Sequence, residues 1–100
     1  MIFRRGRFAD TISRQLDFFA EDEAHGLLAE VEELDARYRS AERGEAEEAY
    51  GDYSDAVDAV IDALAELSDR FAATLEEPLA EEYERAFEAA ARKRWRWLNR

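Results

Sequence analysis

The chain has 100 residues, a formal net charge of −11 and 47% apolar residues, which suits one soluble domain with a modest core. The absence of cysteine excludes disulfides, thiolate metal sites and cysteine nucleophiles. No stretch approaches the roughly 20 apolar residues that a membrane helix needs, so we expect a cytoplasmic protein without a transmembrane segment.

The first predicted helix covers residues 8–43 and follows a short basic arm at residues 1–7. Its apolar residues form two stripes whose directions differ by roughly 70° on a helical wheel. The first stripe is Phe8, Ile12, Leu16 and Phe19, and the second is Leu27, Val31, Leu34 and Tyr38. The change falls near Gly26, where the helix either drifts or breaks, and we expect it to continue because no proline or cap cluster intervenes. Gly44 suits a left-handed stop before a tight turn.

The second predicted helix, residues 45–74, has one apolar and one acidic face. The apolar face holds Tyr50, Tyr53, Val57, Val60, Ile61, Leu64, Leu67, Phe71 and Leu75. The opposite face holds Glu48, Asp52, Asp55, Asp58, Asp62, Glu66 and Asp69, with no basic residue among them. Like charges repel at this spacing, and the acidic face has two interpretations: a solvated face in an acidic proteome, or a surface for a basic protein, a polyamine or divalent cations.

The third predicted helix covers residues 78–97 after a break at Thr74-Leu75-Glu76-Glu77-Pro78. Thr74-x-x-Glu77 matches a capping box, and proline is acceptable in a first turn. Acidic residues begin this helix and basic residues end it, which is the arrangement that the helix dipole favours. Its expected buried stripe is Leu79, Tyr83, Ala86, Phe87, Ala90 and Trp97.

Together these elements predict an all-α fold, a single domain of residues 1–100 built as a three-helix antiparallel hairpin-type bundle. The first two helices would reach on the order of 50 Å and the third about 28 Å, so the third covers only half of the hairpin. The other half would expose an apolar strip, and we therefore expect a homodimer. The partner-binding strip comprises Leu27, Val31, Leu34, Tyr38, Tyr50 and Tyr53.

The C-terminal residues 92–97 read Arg-Lys-Arg-Trp-Arg-Trp. On the wheel Trp97 continues the buried stripe, whereas Trp95 lies roughly 160° away and is exposed unless another segment covers it. We place Arg94, Trp95 and Arg96 in the partner-binding set, with an acidic protein surface ahead of anionic lipid or nucleic-acid bases as the contact. The acidic body disfavours nucleic acid as a general partner. Fraying into a flexible basic tail is the alternative.

The single histidine supplies the one motif with a metal-binding spacing. Asp22-x-x-His25 places a carboxylate and an imidazole on one helical face, which resembles the helical di-iron carboxylate sites of ferritin-like proteins. The resemblance covers four residues and implies a metal-binding assembly completed at a subunit interface. An exposed histidine beside acidic residues is the alternative reading of Asp22 and His25.

The functional prediction is a non-enzymatic helical interaction or structural module without a cofactor. The serines have no histidine-based triad beyond His25, and no glycine loop could cradle a phosphate. The module would present the acidic helix face and the basic, tryptophan-containing end, most simply to a second copy or to a basic protein. The ferritin-like metal-binding assembly is the alternative function.

Overall fold

The computed structural model describes residues 6–22 and 26–99, and most of these residues are helical. The elements are α1 (Ala9–Glu21), α2 (Leu27–Ser40), α3 (Ala46–Ala72), α4 (Glu77–Arg94) and a short 3₁₀ helix (Arg96–Asn99). The all-α prediction is confirmed, since the described ranges contain no strand. The prediction of three helices is wrong, because the first long helix is two separate helices and the described residues form four α-helices.

The break between α1 and α2 is marked by the backbone of Gly26. Its φ of +59° lies in the left-handed region, which glycine adopts without the steric cost that a Cβ imposes. Gly26 is the N-cap of α2, and its carbonyl accepts the backbone N–H of Glu30 at 3.0 Å. Breaking the chain here lets the two apolar stripes face different partners, which one straight helix of residues 8–43 could not do.

Two further local predictions are also wrong. Gly44 has no left-handed conformation; α2 ends earlier, where the backbone N–H of an extended Ala41 donates to the carbonyl of Tyr38 at 3.2 Å. The capping box at Thr74 does not form, because the Thr74 hydroxyl instead donates to the carbonyl of Phe71 at 2.7 Å. The hydroxyl therefore closes the end of α3 rather than the start of α4, whose first turn holds Pro78 as expected.

Contacts divide the chain into two compact units. We call Asp22–Leu64 the central unit, and the segments Met1–Glu21 and Ala65–Arg100 the terminal unit. The boundary falls within α3, so the first part of this helix belongs to the central unit and its last turns to the terminal unit. The sequence-based prediction of one domain stays a prediction.

The central unit is built from α2 and the first part of α3, which run antiparallel. The ring of Tyr38, near the end of α2, contacts the ring of Tyr50, near the start of α3, at 5.3 Å between centroids. Nearer the start of α2, Glu30 lines a groove together with Ala59 of α3. Val31 and Val57 are 1% and 0% exposed.

The terminal unit packs its aromatic residues around Tyr83 of α4. The Tyr83 ring lies 5.4 Å from Phe8, 4.7 Å from Phe71 and 5.8 Å from Phe87 between centroids, and Tyr83 has no exposed surface. Its hydroxyl donates to Oε1 of Gln15 at 2.7 Å, which satisfies the polar end of a buried ring. This arrangement holds α1 and the end of α3 against α4.

Gly26→Ala should destabilise the protein by about 1 kcal/mol, because alanine disfavours the left-handed backbone while its Cβ meets no atom within 4 Å. The matched control is Gly51→Ala in the exposed interior of α3, where a Cβ also meets nothing within 4 Å. That change should stabilise the fold by roughly 0.5–1 kcal/mol. Urea denaturation of both variants measures the change in the free energy of unfolding, which should be opposite in sign. Equal changes would contradict the break at Gly26.

Burial raises the pKa of the Tyr83 phenol above its ordinary value of 10.0. The folded state then holds this proton to a higher pH than the unfolded state does. The contribution of this group to stability is therefore fully present below about pH 10, and it is lost as the pH rises from there through the raised folded-state pKa. Tyr83→Phe should remove the loss of stability at alkaline pH that this phenol causes. At neutral pH the same change should lower the stability by about 1 kcal/mol, because the hydrogen bonds to Gln15 and Ser68 are lost.

Chemical denaturation between about pH 7 and pH 11 tests the Tyr83 prediction. Tyr50→Phe is the control, because it removes a hydroxyl from an exposed tyrosine and leaves the buried phenol in place. An unchanged alkaline loss in Tyr83→Phe would contradict the assignment to this residue.

Candidate functional site

The two units differ sharply in charge. The central unit contains fourteen acidic and three basic side chains, a net charge of −11. The terminal unit contains eleven of each and is neutral. The whole net charge of the chain therefore resides in the central unit, whose electrostatic field attracts cations and basic protein surfaces.

The acidic face of α3 is directed to solvent in the central unit. Asp55, Asp58 and Asp62 are exposed, on the side of the helix opposite the buried Val60. Asp52, at the edge of this face, is paired with Arg37 of α2. The sequence pattern located the face, but it missed that a basic residue from a neighbouring helix neutralises one of its carboxylates.

A groove of about 350 Å³ lies between α2 and the first part of α3. We call it the α2–α3 groove, and it is lined by Glu30, Leu34, Asp52, Asp55, Ala56 and Ala59. We call the apolar lining residues Leu34, Ala56 and Ala59 its floor, because they are buried or half-buried, and the more exposed carboxylates its rim. Its rim carries carboxylates, and of these Glu30 and Asp55 form no ion pair or hydrogen bond with any described side chain.

Three tyrosines form a second feature of the central unit, near the turn between α2 and α3. The Tyr38 ring stacks on Tyr53 at 6.4 Å with an interplanar angle of 12° and also contacts Tyr50. Tyr38 and Tyr50 are 38% and 45% exposed, and Tyr53 is half-buried. The cluster brings together three of the residues that the sequence assigned to partner binding.

The remaining members of the predicted apolar strip are less accessible than we expected. Val31 is buried and both Leu27 and Leu34 are half-buried. The break at Gly26 accounts for this change, because it frees α2 to turn its own stripe inward. The surface that remains is the tyrosine cluster rather than a strip along the whole hairpin.

The predicted basic end is largely committed to contacts inside the terminal unit. Arg94 Nη1 lies 2.6 Å from Oδ1 of Asp17, and its guanidinium carbon lies 5.3 Å from the centre of the Trp95 ring. Trp95 is half-buried, with its ring 5.8 Å from that of Phe19, so another segment does cover it. Arg96 is exposed in the 3₁₀ helix.

The metal-binding alternative is not decided by the described residues. Asp22 is exposed, and His25 lies outside the described residues. Across residues 6–22 and 26–99, no group of three or more histidine and carboxylate side chains is placed to hold a metal ion. The metal reading of Asp22 and His25 stays a prediction.

Sequence reasoning missed two exposed apolar residues and the groove. Phe18 is 69% exposed on α1, and its position about 100° from the Phe19 stripe was the available signal. Ile61 is 38% exposed at the edge of the α3 apolar face. The groove had no signal in a single helix, because its volume depends on how Ala56 and Ala59 sit opposite Leu34.

Comparison with protein-family models, curated proteins and solved structures finds no match to this chain. None of the helices in the described part of the chain is long and apolar enough to cross a membrane.

The contact between Asp17 and Arg94 predicts a measurable coupling. Asp17→Asn, Arg94→Gln and the double variant should give a coupling free energy of about 0.5 kcal/mol, since both side chains are substantially exposed. Thermal unfolding at low and high salt measures it, and salt should reduce it. No coupling at low salt would contradict an internal role for Arg94 and return it to the predicted partner-binding set.

Proposed function

We propose that this chain is a non-enzymatic interaction module whose central unit binds a basic segment of another protein. The observation that supports the proposal is the distribution of charge: −11 in the central unit and zero in the terminal unit. An acidic proteome would account for the overall charge, but it would acidify both units. Restriction of the excess to one unit favours a dedicated acidic surface.

The exposed side chains of the central unit are suited to such a partner. Carboxylates at Asp55, Asp58 and Asp62 are accessible to lysine and arginine, and the rings of Tyr38 and Tyr50 add faces on which a guanidinium can stack. Charged groups of this kind accelerate encounter and select partners by sign. The proposal does not rest on Arg94 and Trp95, because these residues already contact Asp17 and Phe19.

Homodimerisation, the other partner predicted from the sequence, stays a prediction with a weaker physical basis. Val31 and Val57 are buried within one chain, so the apolar strip that motivated a dimer is largely covered. Pairing two central units would also bring together two units that each carry a net charge of −11. A basic partner removes that repulsion, whereas a second copy of this face adds to it.

Binding of a labelled octa-arginine peptide tests the proposal. Wild-type protein should bind it with an affinity that falls steeply with salt, because the attraction is electrostatic. Asp55→Asn with Asp62→Asn should weaken binding about fivefold, since each exposed charge contributes roughly 0.5 kcal/mol. Fluorescence anisotropy at two salt concentrations measures both effects.

The control variant is Glu81→Gln with Glu84→Gln, which removes the same charge from exposed positions of α4 in the terminal unit. It should change the affinity little if the central unit is the binding surface. Equal weakening by the two variants would mean that only overall charge matters. Absence of salt-dependent binding by the wild-type protein would overturn the proposed function.

A further inference from the structure

The α2–α3 groove combines the two properties that a long basic side chain needs. Leu34, Ala56 and Ala59 give it an apolar floor, and Glu30 and Asp55 supply carboxylates at its rim. At about 350 Å³ it lies at the low end of the range for ligand pockets, which suits one side chain better than a cofactor. Lysine and arginine place aliphatic stems on apolar surface while their charged ends remain in polar surroundings.

The charges in and around the groove select the sign of its occupant. The lining contains three carboxylates and no basic residue, and one of the three, Asp52, is paired with Arg37. Glu30 and Asp55 retain their full acceptor capacity toward the described side chains. An anionic or neutral apolar occupant would leave these carboxylates without compensation, whereas an ammonium or guanidinium would pair with them.

We infer that the α2–α3 groove receives a lysine or arginine side chain of the basic protein partner, with the stem on Leu34, Ala56 and Ala59 and the charge between Glu30 and Asp55. This inference rests on the proposed function and adds to it a defined contact point. It makes recognition depend on the length of the side chain as well as on its charge. A purely electrostatic surface would respond to charge alone.

Two peptides of equal charge separate stem length from charge. Octalysine carries four methylenes in each side chain, and the corresponding peptide of 2,4-diaminobutyric acid carries two. At about pH 6 both amines are protonated. Wild-type protein should bind octalysine about fivefold more tightly, because the longer stem removes more apolar surface from water on the groove floor.

Ala59→Leu fills the groove without changing any charge and should abolish the preference for octalysine. The matched control is Ala29→Leu, which adds the same side chain at an exposed position of α2 outside the groove lining and should retain the preference. Circular dichroism and thermal unfolding check that both variants fold. The double variant Glu30→Gln with Asp55→Asn should lower the affinity for both peptides to a similar extent.

The outcomes distinguish this inference from the proposed function. If neither peptide binds to wild-type protein, the proposed function fails and the inference fails with it. If both bind with equal affinity, or Ala59→Leu keeps the preference for octalysine, the basic partner stands and the groove assignment is overturned. A wild-type dimer that Ala59→Leu converts to a monomer in light scattering would place a second copy in the groove and also overturn it.

Discussion

The left-handed backbone at Gly26 is the constraint on which the arrangement of the first half of the chain depends. Each of the two apolar stripes that flank it is long enough for a short helix, and they point in directions that a single straight helix cannot satisfy. Ending α1 at Glu21 and restarting at Leu27 allows each stripe to pack in its own unit. Burial of apolar surface in both units offsets the cost of the interruption, because two short interfaces replace one poorly matched long one.

The same break determines which surfaces are available for binding. Once α2 turns Val31 inward, the exposed aromatic surface of the hairpin is the tyrosine cluster, and its exposed polar surface includes the acidic side of α3. In the terminal unit two polar contacts are internal, the Tyr83 hydroxyl on Gln15 and Arg94 on Asp17, and both acidic and basic side chains are exposed. Carboxylates outnumber basic groups in the central unit alone, and the exposed phenols of Tyr38 and Tyr50 lie in the same unit.

Helical periodicity was sufficient to predict the class of fold, the core position of Tyr83 and the exposure of Asp55, Asp58 and Asp62. It failed where a side chain or backbone group had a choice of partners. Thr74 could cap α4 or bond back to Phe71, and both options are local and similar in energy. Residues that are distant in sequence could not be paired from a helical wheel, as Asp17 with Arg94 and Phe19 with Trp95 illustrate. The groove beside Leu34 could not be predicted either, because residues of two different helices form it.

The unequal charge of the two units gives them different responses to ionic strength. Fourteen acidic side chains in the 43 residues of the central unit repel one another, so folding this unit concentrates like charge. Added salt shortens the Debye length to about 3 Å at 1 M and relieves that repulsion, while a neutral unit gains little. High salt would thus stabilise the folded central unit and at the same time weaken its attraction for a basic partner. The ionic strength at which the protein works therefore sets the balance between the stability of the central unit and its affinity for a basic partner.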